Sequence, residues 1–174
     1  IRDRVGPVRI VVAPRINPDG SYLFTRATYQ GFDMNRDHMA LKAPELAYLH
    51  TAYRYFMPEV AIDFHEFGFY GVTEDGYMRN ADDLQVTPAT SLNDDERVTQ
   101  LGLDAVDALH RNAEDSGLRV YHYGITVNNP IGRAYYGLYN SLSVLVETRG
   151  IGAGATNFER RVYSQQLSAH SIID

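Results

Sequence analysis

Residues 59–65 carry the sequence EVAIDFH and residues 142–148 carry LSVLVET, two short runs of mainly apolar and β-branched side chains. Runs of this length and composition predict strands that are buried in a sheet. Residues 8–14 (VRIVVAP) have the same character and end in a proline, so they also predict a buried strand. Residues 118–127 (LRVYHYGITV) complete a set of four predicted strands.

The segments between these strands have helical patterns. Residues 43–57 place apolar side chains at helical spacing and end before Pro58, which favours an amphipathic helix. A second helix is predicted from a capping box at Asn93 to Gly117, and a third begins near Thr156. Strands that alternate with helices predict the α/β class, with a mixed, mainly parallel sheet and helices on both faces.

The stretch from Glu66 to Leu92 is rich in glycine and lies between two predicted elements. A stretch of this length inside a compact chain is more often a functional loop than a simple connection. We find no internal repeat and no linker composition, so residues 1–174 are expected to form a single domain.

The composition excludes several classes of function. The chain has 174 residues, a net charge of −6 and no cysteine, so disulfide scaffolds, thiolate zinc sites and cysteine nucleophiles are excluded. The acidic balance, without a run of Lys or Arg, argues against nucleic-acid binding. No apolar stretch is long enough to cross a membrane.

Glu147 ends the apolar run LSVLVET, where an ionised carboxylate is costly unless it is paired or bound to a metal. One interpretation is a salt bridge to Arg149 or Arg133. The other is a general base, because desolvation raises the pKa of a carboxyl group towards the range of proton transfer.

His65 ends the strand EVAIDFH, and it is either a buried histidine with satisfied hydrogen bonds or one imidazole ligand of zinc. The nearby acid Asp63 is expected on the opposite face of the strand and therefore not as a co-ligand. His65 and Glu66 do not form the HExxH pattern of a metalloprotease helix, because no second histidine follows at the required spacing. The chain thus offers one good metal ligand.

Asn35 and Arg36 place an amide and a guanidinium side by side. Together they can hold a carboxylate through charge-assisted hydrogen bonds, although a surface arginine that pairs with Asp37 is the simpler alternative. Three tyrosines precede Glu147, and they are either packing residues or include a substrate ligand: Tyr135, Tyr136 and Tyr139.

Taken in order, several short motifs resemble the zinc carboxypeptidase family, the M14 metallopeptidases, over residues 8–149. The motifs are Asn17-Pro18-Asp19-Gly20, Thr25-Arg26, Asp33-Met34-Asn35-Arg36, Asp63-Phe64-His65 and Val146-Glu147-Thr148-Arg149. The resemblance implies the α/β fold of that family and a zinc cofactor. It also implies a peptide or acylated amino acid substrate with a free carboxylate.

The same resemblance implies a role for individual residues. His65 would be the third zinc ligand and Glu147 the general acid and base, while Arg26 would stabilise the oxyanion. Asn35 and Arg36 would hold the terminal carboxylate of the substrate. Asp33 would orient the first zinc-ligand histidine.

One departure affects the expected activity. The first two zinc ligands of the family come from a His-x-x-Glu motif upstream of the Asn-Pro-Asp-Gly turn, and residues 1–16 do not contain it. The chain therefore resembles the later part of a carboxypeptidase domain, incomplete at the N-terminus and at the C-terminus. We expect the chain alone to be inactive. The alternatives are an N-acyl amino acid deacylase of the same fold and a non-catalytic module that binds carboxylates.

Overall fold

A computed structural model describes residues 8–68, 82–124, 130–150 and 155–173, which form five α-helices, one short 3-10 helix and four strands. In chain order these are α1 (Pro18–Leu23), the 3-10 helix (Met34–Arg36), α2 (Pro44–Phe56), β1 (Val60–Phe67), β2 (Leu84–Pro88), α3 (Glu96–Asp115), β3 (Val120–His122), α4 (Gly132–Gly137), β4 (Leu142–Arg149) and α5 (Phe158–Ile173). Among the described helices, none combines the length and the hydropathy that a membrane span requires.

The four strands form one mixed sheet in the order β1-β4-β2-β3. The pairs β1–β4 and β2–β3 are parallel, and β2 runs antiparallel to β4. The α/β class and the mixed, mainly parallel sheet are therefore confirmed.

One face of the sheet carries the main apolar core. Val86, Val144 and Val146 are fully buried there, and they pack with Val106 and Leu109 of α3. Leu167 and Ile172 of α5 cover the same core. Because side chains alternate along a strand, the residues between these valines must point to the opposite face.

That opposite face is more polar and is covered by α2 and α4. Tyr53 of α2 packs against Tyr135 and Tyr136 of α4, and Ala61 of β1 joins this cluster. The same side of the sheet presents Asp63, His65, Ser143, Glu147 and Gln85, alternating with the apolar core residues.

The predicted strand at residues 8–14 is wrong. Residues 8–15 form no regular structure and pair with none of the described strands, and Val8, Ile10, Val11 and Val12 are 45–72% exposed. An apolar run becomes a strand only when a neighbouring strand accepts its backbone hydrogen bonds.

Several boundaries also differ from the sequence predictions. The stretch predicted as one loop contains β2, a fully buried strand. The helix α3 is capped by Asp95, whose side chain accepts a hydrogen bond from Arg97 N at 2.9 Å, rather than by Asn93. Only residues 120–122 of the predicted strand 118–127 are paired as β3, and residues 125–127 lie outside the described residues.

Two short helices, α1 and α4, occur where the sequence patterns predicted no helix. Asn17 caps α1 by accepting a hydrogen bond from Gly20 N at 2.9 Å, so the Asn-Pro-Asp-Gly turn is the first turn of a helix. All six residues of α4 are buried, which explains why a segment with two glycines stays helical: tertiary packing outweighs its weak propensity.

Candidate active site

His65 and Glu147 lie side by side near the carboxyl ends of β1 and β4. They are direct register partners in the parallel pair, on the face opposite to the main core. Neighbouring strands are about 4.8 Å apart, so side chains in register on one face can reach a common point. Residues 82 positions apart in sequence (147 − 65) are thus brought together. The carboxyl ends of such strands are where α/β proteins bind their ligands.

Asp63 lies on the same face as His65, so the prediction that it points to the opposite face is wrong. Residues two apart in a strand share a face, and Oδ1 of Asp63 is 3.0 Å from Nε2 of His65. Burial lowers the pKa of His65, but the Asp63 carboxylate more than offsets this and the pKa is raised. The Asp63 pKa is lowered, because the charge and hydrogen bond of His65 outweigh the effect of burial.

Glu147 is 8% exposed, and burial raises the pKa of its carboxyl group. The positive charges of His65 and Arg133 act in the opposite direction without cancelling this effect. A carboxyl group with a raised pKa accepts a proton more readily than an exposed carboxylate does.

The two arginines considered as salt-bridge partners of Glu147 are placed differently. The Arg149 guanidinium lies 3.5 Å from Asp83, a buried carboxylate that also binds Arg160 at 2.7 Å. Arg133 is 2% exposed, its guanidinium lies 5.5 Å from the centre of the Tyr123 ring, and its charge acts on Glu147 and Asp63. Arg133 is therefore a site residue that the motifs did not identify.

Arg26 and Asp33 face the same site from the segment before α2. Arg26 Nε donates to Asp33 Oδ2 at 2.7 Å, and the charge of Arg26 acts on both His65 and Glu147. Asp33 Oδ1 accepts a hydrogen bond from Asn35 N at 3.0 Å. Asp33 thus fixes the start of the 3-10 helix and holds the Arg26 side chain.

Asn35 joins the 3-10 helix to α4, because its Oδ1 accepts a hydrogen bond from Gly132 N at 2.8 Å. Arg36 is exposed, and its Nη1 donates to the Asn35 carbonyl oxygen at 2.8 Å. The two residues therefore lie together, Asn35 with one end of its side-chain amide fixed and Arg36 at the surface.

A buried histidine pair lies behind this region, and no sequence pattern indicated it. His38 Nδ1 is 2.9 Å from His50 Nε2, and the His50 ring stacks on Tyr135 at 3.9 Å. Burial lowers the pKa of both histidines to about 4. Gly132 packs so closely that a Cβ atom there would lie 2.8 Å from Asp63 Oδ2 and 3.1 Å from the His38 ring.

Two of the tyrosines before Glu147 serve the packing of α4. Tyr135 and Tyr136 are buried against Tyr53, and Tyr135 Oη donates to Tyr139 Oη at 3.1 Å. Burial raises the pKa of Tyr136, which is the behaviour of a packed phenol.

The described ranges contain no group of three His, Asp or Glu side chains arranged to hold a metal ion. His65 nevertheless has the chemistry of a metal ligand. Its Nε2 is bonded to Asp63, which directs the lone pair of Nδ1 away from the carboxylate. The described part of the chain therefore supplies one oriented imidazole ligand.

Comparison with known proteins identifies relatives by sequence and by fold. No family model matches the chain. The chain is 34% identical to the probable carboxypeptidase 2 of Trichophyton verrucosum (strain HKI 0517) over 183 residues, which cover 94% of this chain and 35% of that protein. It is 34% identical to carboxypeptidase 2 of Trichophyton rubrum over 94% of this chain and 34% of that protein. The chain thus spans about a third of the length of the curated relatives it matches.

A solved structure gives the same result for the fold. The metallo-carboxypeptidase from Burkholderia cenocepacia superposes with a TM-score of 0.66 at 19% identity, covering 92% of this chain and 42% of that one. The resemblance to carboxypeptidases that the ordered motifs indicated is confirmed by these matches.

Proposed function

We propose that this chain belongs to the carboxypeptidase family and carries part of the active site of a metal-dependent enzyme that removes residues from peptide C-termini. The observation that carries the proposal is the register pairing of Glu147 with His65, which is itself oriented by Asp63. A binding module for carboxylates has no need of a buried proton acceptor beside an oriented imidazole.

His65 would bind a zinc ion through Nδ1, with Asp63 fixing the tautomer. When bound, zinc polarises the scissile carbonyl and lowers the pKa of a coordinated water to about 7. A catalytic zinc site needs about three protein ligands. Since no such group is found among the described residues, we expect the 174-residue chain alone to bind zinc weakly and to be inactive.

Glu147 would act as general base and then as general acid. Its carboxylate would take a proton from the attacking water and return it to the nitrogen of the leaving amine. Burial raises the pKa of the Glu147 carboxyl group, which favours its acceptance of a proton in the first step.

Arg26 would stabilise the oxyanion that forms when water attacks the carbonyl, since its charge already acts on His65 and Glu147. Asn35 and Arg36 would hold the terminal carboxylate of the peptide. The side-chain oxygen Oδ1 of Asn35 already accepts a hydrogen bond from Gly132 N. Asn35 would therefore donate to the substrate through Nδ2, beside the exposed guanidinium of Arg36.

The substitution Glu147→Gln in the full-length protein tests this proposal. The amide keeps the shape of the side chain but cannot accept the proton, so kcat should fall by about 10²–10⁴-fold or more while zinc content is unchanged. Glu59→Gln, an exposed residue just before β1, is the matched control and should keep full activity. Near-normal peptidase activity of the Glu147 variant would refute the assignment.

A further inference from the structure

One row of side chains crosses all four strands of the sheet at the candidate site. His65 of β1 is the register partner of Glu147 of β4, and Glu147 is the antiparallel partner of Gln85 of β2. Tyr121 of β3 is in register with Gln85 and ends the row. The position directly beside Glu147, on the side away from His65, is therefore occupied by Gln85.

Gln85 is fully buried, and neither its Oε1 nor its Nε2 has a hydrogen-bond partner. A buried amide without partners costs about 1–3 kcal/mol relative to a satisfied one. Buried polar side chains in native proteins are nearly all bonded, so an exception of this kind requires an explanation. A leucine or methionine at this position would avoid the cost entirely.

The geometry brings the amide of Gln85 within reach of the carboxyl group of Glu147. Directly opposed residues of an antiparallel pair have Cβ atoms about 4.5–5.5 Å apart, and both side chains are long enough to meet above the sheet. The two residues share the face covered by α2 and α4, and both are buried.

A side-chain amide matches a carboxyl group in both of its forms. Nε2 can donate to a carboxylate oxygen, and Oε1 can accept from the O–H of the protonated acid. Two arginines whose charges act on Glu147, Arg133 and Arg26, favour only the ionised form. Gln85 is the register neighbour of Glu147 that can bond the carboxyl group before and after it takes up a proton.

We propose that Gln85 is a positioning residue for Glu147, holding its carboxyl group in place through both halves of the proton transfer. This inference rests on the proposed function of Glu147. A hydrogen bond to Glu147 in the folded protein would offset the cost of burying the Gln85 amide. Gln85 acts through Glu147 and is not itself expected to touch the substrate.

A double-mutant cycle on unfolding stability tests the contact without requiring activity. Gln85→Met, Glu147→Met and the double variant remove the polar groups at nearly constant volume. If the side chains interact, the unfolding constant of the double variant should differ from the product of the single effects by about threefold or more. Ser143→Ala is the matched control, because Ser143 is a buried, unpartnered polar residue on the same face, four positions from Glu147 along β4. Its effect should combine additively with that of Glu147→Met.

Steady-state kinetics of the full-length protein test the positioning role. Gln85→Met should lower kcat by about ten- to a hundredfold with little change in KM, whereas Ser143→Ala should change neither. Gln85→Glu is the second variant, in case the first does not fold, and should also lower kcat because it lacks the amide donor. An additive cycle, or wild-type kcat in a folded Gln85 variant, would overturn the proposal for Gln85. Loss of activity in Glu147→Gln would then still stand and leave the proposed function intact.

Discussion

Asp63 and His65 lie two positions apart on one strand, with Oδ1 of the aspartate 3.0 Å from Nε2 of the histidine. The pleat of the strand places both side chains on the face covered by α2 and α4. The carboxylate thereby fixes which ring nitrogen carries the proton and which presents its lone pair.

Asp63→Asn should weaken zinc binding by the full-length protein about 10–100-fold, because an amide orients the imidazole less strongly and no longer raises its basicity. Titration with a competing chelator measures the affinity. Asp107→Asn, an exposed substitution on α3, is the control and should leave the affinity unchanged. Equal affinity in both variants would contradict the role given to Asp63.

Gly132→Ala should destabilise the fold by about 1–3 kcal/mol, because the added Cβ would overlap Asp63 Oδ2 at 2.8 Å and the His38 ring at 3.1 Å. Denaturant unfolding measures the loss. Gly68→Ala is the matched control, since no atom lies within 4 Å of a Cβ atom at that position. A stability equal to that of the control would show that α4 packs less tightly than described.

Stability should fall as the pH drops from about 6.5 to about 4, because the unfolded histidines take up protons throughout this range while His38 and His50 stay neutral until about pH 4. Above about pH 6.5 both histidines are neutral in the folded and the unfolded protein, so this loss of folding stability is absent there. Thermal unfolding at a series of pH values should show a smaller decrease for His50→Gln than for the wild type. An identical pH dependence in both proteins would argue against burial of a neutral histidine pair.

Arg36→Ala should act mainly on substrates with a free C-terminal carboxylate. Such substrates lose a charge-assisted contact, whereas amidated peptides never made it. The measurement is kcat/KM for an acid and amide pair of one peptide in the wild type and the variant. We expect about a tenfold or greater decrease for the acid alone, and an equal decrease for both peptides would make Arg36 a structural residue.

The sequence predicted the strands and helices whose patterns are local. EVAIDFH and LSVLVET became β1 and β4, and residues 43–57 contain α2, because apolar spacing and proline boundaries act over one turn or one strand. The same two strand ends pointed to His65 and Glu147 as site candidates. Their pairing in one row is a property of the sheet.

Features that depend on distant contacts were not predictable. The strand β2 has only five residues, and its Leu-Gln-Val-Thr alternation is too short to distinguish it from the glycine-rich stretch around it. Gln85, the His38–His50 pair and the burial of Arg133 depend on which elements pack together, and no local pattern reports that. The strand prediction for residues 8–14 was wrong because it also depended on a distant contact. The local pattern is that of a strand, but no described strand pairs with these residues.

Because side chains alternate between the two faces along β4, the register of β4 against β1 can change only by whole residues, and each one-residue change moves Glu147 to the other face. A slip of β4 by one residue against β1 would turn Glu147 into the valine core beneath α3 and α5 and lift Val146 towards α2. Such a chain would bury a charge and expose apolar surface, so it would aggregate or unfold rather than persist as a soluble, poorly aligned protein. Soluble folded molecules should therefore all have His65 and Glu147 in register. Substitutions that impair the site should act through the side chain that is changed and not through a gradual shift of the strands.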